Sequence, residues 1–110
     1  MASKLNEKRC TPCTGREPPL PPEQVSLLLA ELDGWLQYDR LIGKTFEFKD
    51  HYQTMAFVNA VAWVSHREDH HPEMTVGYNK CHLEYTTHAI GGLSENDFIC
   101  AAKVDALFRI

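Results

Sequence analysis

The sequence predicts an α+β fold: a four-stranded antiparallel sheet with three helices packed on one face. Three observations predict it, namely helical periodicity in three segments, alternating apolar residues in short segments between them, and the resulting order α-β-β-α-β-β-α. Strands that follow one another through short turns pair as antiparallel hairpins. The 110 residues are 44% hydrophobic and 24% charged, which is typical of one globular domain.

The first helix is predicted over residues 22–33, with Pro22 at its first position and Gly34 as its stop. Its apolar residues have the i, i+3, i+4, i+7 spacing of an amphipathic helix: Val25, Leu28, Leu29 and Leu32. Residues 35–38 and 44–48 follow as two short strands, because apolar and polar residues alternate in the second. They are predicted to form the first hairpin.

The second helix is predicted to begin after a cap at Asp50 and to run to about Glu68, with Gln53 at the capping-box position. Its apolar residues cover a wide arc, which predicts deep burial against the sheet. Alternating residues in 74–78 and 81–85 predict the second hairpin, with its turn at the intervening Asn-Lys pair.

Ser94 is predicted to cap the third helix, residues 95–108. The inward face of this helix is expected to consist of Cys100, Ala101, Val104, Leu107 and Phe108. Helices on one face leave the other sheet face, or an edge strand, without cover. Such surfaces are blunted or paired with another chain, so the sequence favours a homo-oligomer.

Composition limits the classes of partner. The net charge is −4 and the pI about 5.8, so there is no basic field to attract nucleic acid. No apolar run is long enough to span a bilayer, and the first ten residues lack an apolar signal region, so a cytoplasmic protein is expected. Residues 1–21 are interpreted as a flexible N-terminal tail and residues 22–110 as the folded domain.

The tail contains one C-x-x-C pair, Cys10 and Cys13. A structural zinc site needs four ligands, and Cys81 and Cys100 lack a matching spacing. The preferred interpretation is therefore two reduced thiols on a mobile segment, with zinc binding as the alternative.

A histidine cluster is the strongest chemical signal. The stretch "REDHHPEM" places His70 and His71 side by side before Pro72, where neither a helix nor a strand would point both imidazoles the same way. Imidazoles titrate near neutral pH, so the cluster suits general acid–base catalysis. A metal site is the alternative, because His66 and His70 have i, i+4 spacing and His88 and Asp97 follow.

The spacing of these residues resembles the pterin-4a-carbinolamine dehydratase family over about residues 22–108. The shared pattern is His66, His70-His71-Pro72, Tyr78, His88 and Asp97, supported by the segments "FEFKD", "YNKCHLEYTTH" and "GLSENDF". Two positions depart from the family: His66 stands where many relatives have Glu, and Met74 where vertebrate members commonly have Trp.

The resemblance implies a function and a site. Family members convert 4a-hydroxytetrahydropterin to quinonoid dihydropterin and water, which recycles the cofactor of aromatic amino acid hydroxylases. The implied catalytic residues are His70, His71, His88 and Asp97. The implied substrate-binding residues are Asp69, Pro72, His66 and Met74.

The resemblance also bears on cofactors and partners. It implies that the protein needs no metal and no cofactor. It also implies a dimer or tetramer and a functional link to an aromatic amino acid hydroxylase. His71 is expected to matter most, because Pro72 restrains its backbone. The alternative within the family is a dimerisation or regulatory module that binds another protein. A histidine-ligated metalloenzyme is the third possibility.

Overall fold

The computed structural model describes residues 4–107 and confirms the α+β fold. The three helices are α1 (Pro22–Leu29), α2 (His51–Glu68) and α3 (Glu95–Ala106). The four strands are β1 (Leu36–Tyr38), β2 (Leu41–Glu47), β3 (Glu73–Val76) and β4 (Lys80–Tyr85). All neighbouring strands are antiparallel, in the order β1-β2-β4-β3. Phe108, predicted as part of the third helix, lies outside the described residues.

The core lies between the sheet and the helices. The sheet contributes alternate residues of its central strands, among them Ile42, Phe46 and Leu83, all of which are buried. Residues of opposite parity, such as Thr45 and His82, face away from the helices and hydrogen-bond to each other at 2.7 Å. This alternation is that of an antiparallel sheet with one covered face. No helix within residues 4–107 is long and apolar enough to cross a membrane.

An ion pair ties α3 to the first hairpin. The indole Nε1 of Trp35 donates to the carboxylate of Asp105 at 3.1 Å, and Lys44 Nζ lies 3.0 Å from the same carboxylate. Lys44 and Asp105 are mostly buried, and each satisfies the other. This contact fixes the C-terminal half of α3 over the sheet.

Two element boundaries differ from the predictions by three or more residues, each for a local reason. Helix α1 ends at Leu29 instead of residue 33, because the chain tightens into i, i+3 hydrogen bonds such as Leu32 N to Leu29 O. Strand β2 begins at Leu41, because Asp39 adopts φ +53 and closes a two-residue turn from Tyr38. Both boundaries depend on backbone conformation that apolar periodicity does not report.

The N-terminus of α2 confirms the predicted cap. The backbone N–H of Gln53 donates to Asp50 Oδ1 at 2.9 Å. The Gln53 side chain accepts from the backbone N–H of Lys49 at 2.9 Å, one residue before the cap. The helix therefore begins at the predicted residue, with a capping box shifted by one position.

The prediction of deep burial for α2 holds on one side and is wrong on the other. Phe57 and Val61 are buried against the sheet, as expected. Ala62 is exposed, and the side chains of Tyr52 and Trp63 are 86% and 61% exposed. An apolar arc wider than the core-facing stripe thus leaves apolar side chains on the protein surface.

Residues 4–20, which we call the N-terminal strap, run across α3 and the end of α2. Leu5 is buried in the core, and Lys103 Nζ donates to the backbone carbonyl of Asn6 at 2.9 Å. At the other end, Leu20 N donates to Leu93 O at 2.9 Å. These contacts hold the strap against the folded domain in this structure. The flexibility predicted for residues 1–21 stays a prediction.

Candidate active site

The C-terminus of α2 sets the direction of the paired histidines. Asp69 adopts a left-handed conformation, φ +52 and ψ +44, directly after the last helical residue. The backbone N–H groups of Asp69 and His70 both point to the carbonyl of Ser65. A left-handed residue ends a helix and turns the chain sharply. Pro72 is buried three residues after Asp69, so His70 and His71 occupy a short, restrained turn before β3.

Asp97 is fully buried and holds His70. Its Oδ1 lies 2.6 Å from His70 Nε2, while its Oδ2 accepts hydrogen bonds from Thr87 Oγ1 and Ser94 N, each at 2.9 Å. The Ser94 bond closes the predicted capping box of α3. The same carboxylate therefore caps a helix and orients an imidazole, and its catalytic role stays a prediction.

His70 is also fixed by its ring. It stacks on Tyr85 with ring centroids 5.9 Å apart and an interplanar angle of 12°. Tyr85 is fully buried, and that burial raises the pKa of its phenol well above the ordinary value. The imidazole thus lies between a buried carboxylate and a neutral aromatic ring, with little freedom to rotate.

A cavity of about 460 Å³ opens beside this arrangement. One side consists of the imidazole-bearing residues His70, His71 and His88, which we call the histidine wall. Asp69 also lines the cavity, next to the left-handed turn. The volume is in the range that accommodates a small organic molecule.

His71 and His88 differ from His70 in their freedom. Both are exposed residues at the cavity, and neither imidazole hydrogen-bonds to any group within residues 4–107. Their ring nitrogens are therefore available to a molecule in the cavity. One fixed and two free imidazoles around one cavity are the kind of groups that general acid–base catalysis uses.

Three of the predicted substrate-binding residues do not line the cavity. His66 is exposed and packs against Trp63, with ring centroids 5.5 Å apart. Met74 is half-buried against the core, and Pro72 is buried behind the turn. Their substrate-binding roles stay predictions, and the positions of His66 and Met74 do not favour them.

The alternative metal site is not assembled. Within residues 4–107, no group of three or more His, Cys, Asp or Glu side chains is arranged to hold a metal ion. His66 packs against Trp63 on the surface. Nε2 of His70 already makes a hydrogen bond with Asp97. The absence of a metal requirement remains a prediction from the family.

Sequence reasoning missed a second part of the cavity lining. It is formed by residues 10–13 of the strap, which we call the strap wall. Thr11 N donates to Asn96 Oδ1 at 3.0 Å, and Asn96 Nδ2 donates to Thr11 O at 2.7 Å. The C-x-x-C spacing marked this segment as unusual, but nothing in the sequence placed it against Asn96.

Glu68 anchors the strap where it reaches α2. Its carboxylate accepts from Cys10 N at 2.8 Å and pairs with Arg9 Nε at 3.1 Å and Lys103 Nζ at 3.8 Å. Burial alone would raise the pKa of Glu68, but the Cys10 N–H and the two cations outweigh it and hold the pKa below its ordinary value. The carboxylate is therefore ionised at neutral pH.

Comparison with known proteins gives one consistent family. The family model described as pterin 4 alpha carbinolamine dehydratase matches residues 18–107. A protein of Nitrosospira multiformis, provisionally named pterin-4-alpha-carbinolamine dehydratase, is 67% identical over 106 residues, which are 96% of this chain and 94% of the relative.

Two solved structures are similar. A crystal structure described as a transcriptional coactivator/pterin dehydratase from Brucella melitensis has a TM-score of 0.78 and 32% identity, covering 81% of this chain and 97% of that one. A pterin dehydratase-like protein identified as a RuBisCO assembly factor in the alpha-carboxysome has a TM-score of 0.59 and 29% identity, covering 68% of this chain and 89% of its own.

Proposed function

This chain belongs to the pterin 4 alpha carbinolamine dehydratase family, and from that premise we propose that it is a 4a-hydroxytetrahydropterin dehydratase. The proposed reaction removes water from the 4a-hydroxytetrahydropterin and yields the quinonoid dihydropterin. The observation that carries the proposal is the histidine wall, where His71 and His88 keep unpaired imidazoles beside His70 on one cavity.

The reaction needs an acid and a base on the same ring system. The C4a–O bond breaks, and a proton must reach the departing oxygen because hydroxide is a poor leaving group. A second group takes the proton from N5 as the N5–C4a double bond forms. Imidazoles with pKa values near 6.5 supply both functions at neutral pH.

The geometry supports different roles for the three histidines. His71 and His88 present free ring nitrogens to the cavity, so we assign the proton transfers to this pair acting as a set. His70 is a positioning residue for the substrate, because Asp97 and Tyr85 already fix its ring. Asp97, fully buried, acts through His70.

The proposal includes the biological setting that the family implies. Its product is one that a reductase can return to tetrahydropterin, so the enzyme would recycle the cofactor of aromatic amino acid hydroxylases. The catalysis itself uses no metal and no cofactor, since the two imidazoles supply the acid and the base. The cytoplasmic location stays a prediction.

A homo-oligomer is part of the same proposal. Tyr52, Met55 and Trp63 form an exposed stripe along the outer side of α2, and Leu36 and Tyr38 are exposed on the uncovered sheet face. Exposed apolar stripes of this kind favour contact with another protein surface. Sedimentation at several protein concentrations tests it: a monomer at all concentrations would contradict this part.

The second candidate function is a protein-binding module. The exposed stripe on α2 favours it, and the similar structures from Brucella melitensis and the alpha-carboxysome are described with coactivator and assembly roles. Pull-down with a hydroxylase, using wild type and a His71→Ala variant, separates the two functions. Binding that survives this substitution while dehydration is lost would assign them to different surfaces.

The direct test follows dehydration itself. A hydroxylase generates the 4a-hydroxytetrahydropterin in a coupled assay, and the absorbance change of its loss is followed with and without this protein. We expect loss of the intermediate to accelerate in proportion to protein concentration. A rate equal to that of buffer at every concentration would overturn the proposed function.

A further inference from the structure

A group of three thiols links the strap to α3, and the dehydration proposed above does not use it. Cys10 Sγ lies 3.6 Å from Cys100 Sγ, 90 residues apart in sequence. Cys13 lies beside Asn96, whose Nδ2 is 3.8 Å from the Cys13 sulfur. Cys81, the fourth cysteine, is buried within the sheet.

We propose that Cys10 and Cys100 are a disulfide-forming pair that responds to hydroperoxides and joins the strap covalently to α3. A disulfide needs its sulfurs about 2.05 Å apart, so the two atoms must approach by about 1.5 Å. Cys10 lies on a surface segment without regular secondary structure, so the movement can occur there while Cys100 stays in its helix.

The two thiols differ in access in the way that a two-step oxidation needs. Cys10 is partly exposed and lines the cavity, so a small oxidant can reach it. Cys100 is fully buried, and its hydrogen bond with Cys10 together with burial raises its pKa far above the ordinary range. Cys10 is thus the thiol that an oxidant meets, and Cys100 is the thiol that resolves it.

The steps balance with one hydroperoxide. The Cys10 thiol gives up its proton and its sulfur attacks the terminal peroxide oxygen. The O–O bond breaks, the sulfenic acid forms, and the departing alkoxide takes up that proton to become an alcohol, with the sulfur oxidised and the peroxide reduced. The Cys100 sulfur then attacks the Cys10 sulfur, the S–S bond forms and the S–O bond breaks. The leaving hydroxide takes the Cys100 proton and departs as water. An external dithiol reverses the change by exchange.

The geometry favours Cys100 over Cys13 as the partner. Cys10 Sγ lies 3.7 Å from the backbone carbonyl of Asn96, whereas the Cys13 sulfur lies 3.8 Å from the side-chain Nδ2 of the same residue. The intervening Thr11 is held by two hydrogen bonds to the Asn96 side chain. A bond between Cys10 and Cys13 would have to form while Thr11, which lies between them in the sequence, is held by these two hydrogen bonds. Cys10 and Cys100 are already in direct contact.

The consequence of the bond is a fixed strap wall. Protease cleavage within the strap requires local release of the segment, and a cross-link to α3 suppresses that release. Because the closed loop is long, the disulfide should also raise the melting temperature, by on the order of 10 °C. Neither effect depends on dehydration, so both can be measured whether or not the chain is a dehydratase.

The test uses the full chain treated with hydrogen peroxide. Peptide mapping should show a Cys10–Cys100 link that dithiothreitol removes, with Cys81 still alkylated by iodoacetamide as an internal control. Tryptic cleavage after Arg9 and Arg16 should slow by 10-fold or more in the oxidised protein, by comparison with the reduced protein.

Matched variants complete the test. Cys13→Ser should keep the link and the protection, whereas Cys10→Ser should lose both. Cys100→Ala, which adds no polar group to the core, should behave like Cys10→Ser. A Cys10–Cys13 link, a link between two chains, or over-oxidation of Cys10 with no disulfide would each overturn the proposal.

Discussion

The two sides of the cavity are built in different ways. The histidine wall is held by buried interactions: a carboxylate at 0% exposure, a stacked phenol and a proline-restrained turn. The strap wall is held by hydrogen bonds and ion pairs from exposed or partly exposed strap residues to the buried side chains of Glu68 and Asn96. Buried polar contacts fix geometry, whereas partly exposed ones permit movement. We propose that the histidine wall carries the acid–base chemistry.

The largest effect is expected from the free imidazoles of the histidine wall. His71→Ala should lower dehydration by about 10²–10⁴-fold, because it removes a general acid or base from the cavity. His88→Ala should lower it by less, since His88 lacks the restraint that Pro72 gives its neighbour. Steady-state rates measure both.

His66→Ala is the matched control for those variants. It removes an exposed imidazole next to the same turn but outside the cavity. Activity should stay within about threefold of wild type, since surface substitutions away from special contacts change little. If His66→Ala lost as much activity as His71→Ala, the claim that only the imidazoles at the cavity serve the reaction would be contradicted.

The next effect tests the buried support of the histidine wall. Asp97→Ala should lower the free energy of unfolding by about 3–5 kcal/mol, because it leaves His70 and Thr87 without their buried partner. Asp97→Asn, which keeps an acceptor for Thr87 and Ser94, should cost less, about 1–3 kcal/mol. Urea unfolding measures both, and equal costs would argue against a charge-dependent role.

A smaller effect is expected at the anchor of the strap wall. Glu68→Gln should lower the free energy of unfolding by about 1–2 kcal/mol at pH 7, because it removes the charge that pairs with Arg9 and Lys103. The pKa of Glu68 is lowered in the folded state, so its contribution is complete above the ordinary pKa of about 4.3 and is lost as pH falls through the folded value.

The difference between wild type and Glu68→Gln should therefore shrink below about pH 4. Urea unfolding at a series of pH values measures it. Glu95→Gln is the control, since Glu95 pairs with Lys8 on the surface and should leave the unfolding free energy unchanged at every pH. If the difference in unfolding free energy between wild type and Glu68→Gln grew as pH fell, the predicted contribution of the ionised carboxylate would be contradicted.

The smallest effect concerns the left-handed turn at Asp69. Asp69→Ala should lower the free energy of unfolding by about 1 kcal/mol, because alanine disfavours φ +52. Asp69→Gly should cost nothing or stabilise slightly, since glycine adopts this conformation freely. Thermal unfolding compares them, and equal stability of the two variants would show that the backbone conformation has no cost here.

The same contrast separates what the sequence could and could not predict. The turn of the histidine wall was predictable, because His70 and His71 lie at a helix end that Pro72 marks locally, and the resemblance to the family added His88 and Asp97. The strap wall was not, because its contacts join Thr11 to Asn96 across 85 residues with no periodic signal. Periodicity also overstated the burial of α2, since it cannot tell the sheet-facing side from a side that remains exposed.

The measurement that tests the account most directly is a crystal structure with a non-reactive pterin analogue. The account predicts the pterin ring inside the cavity, with ring nitrogens of His71 and His88 within hydrogen-bond distance of the N5–C4a edge and His70 still bonded to Asp97. A pterin bound on the α2 surface or on the uncovered sheet face, with the histidine wall untouched, would contradict it.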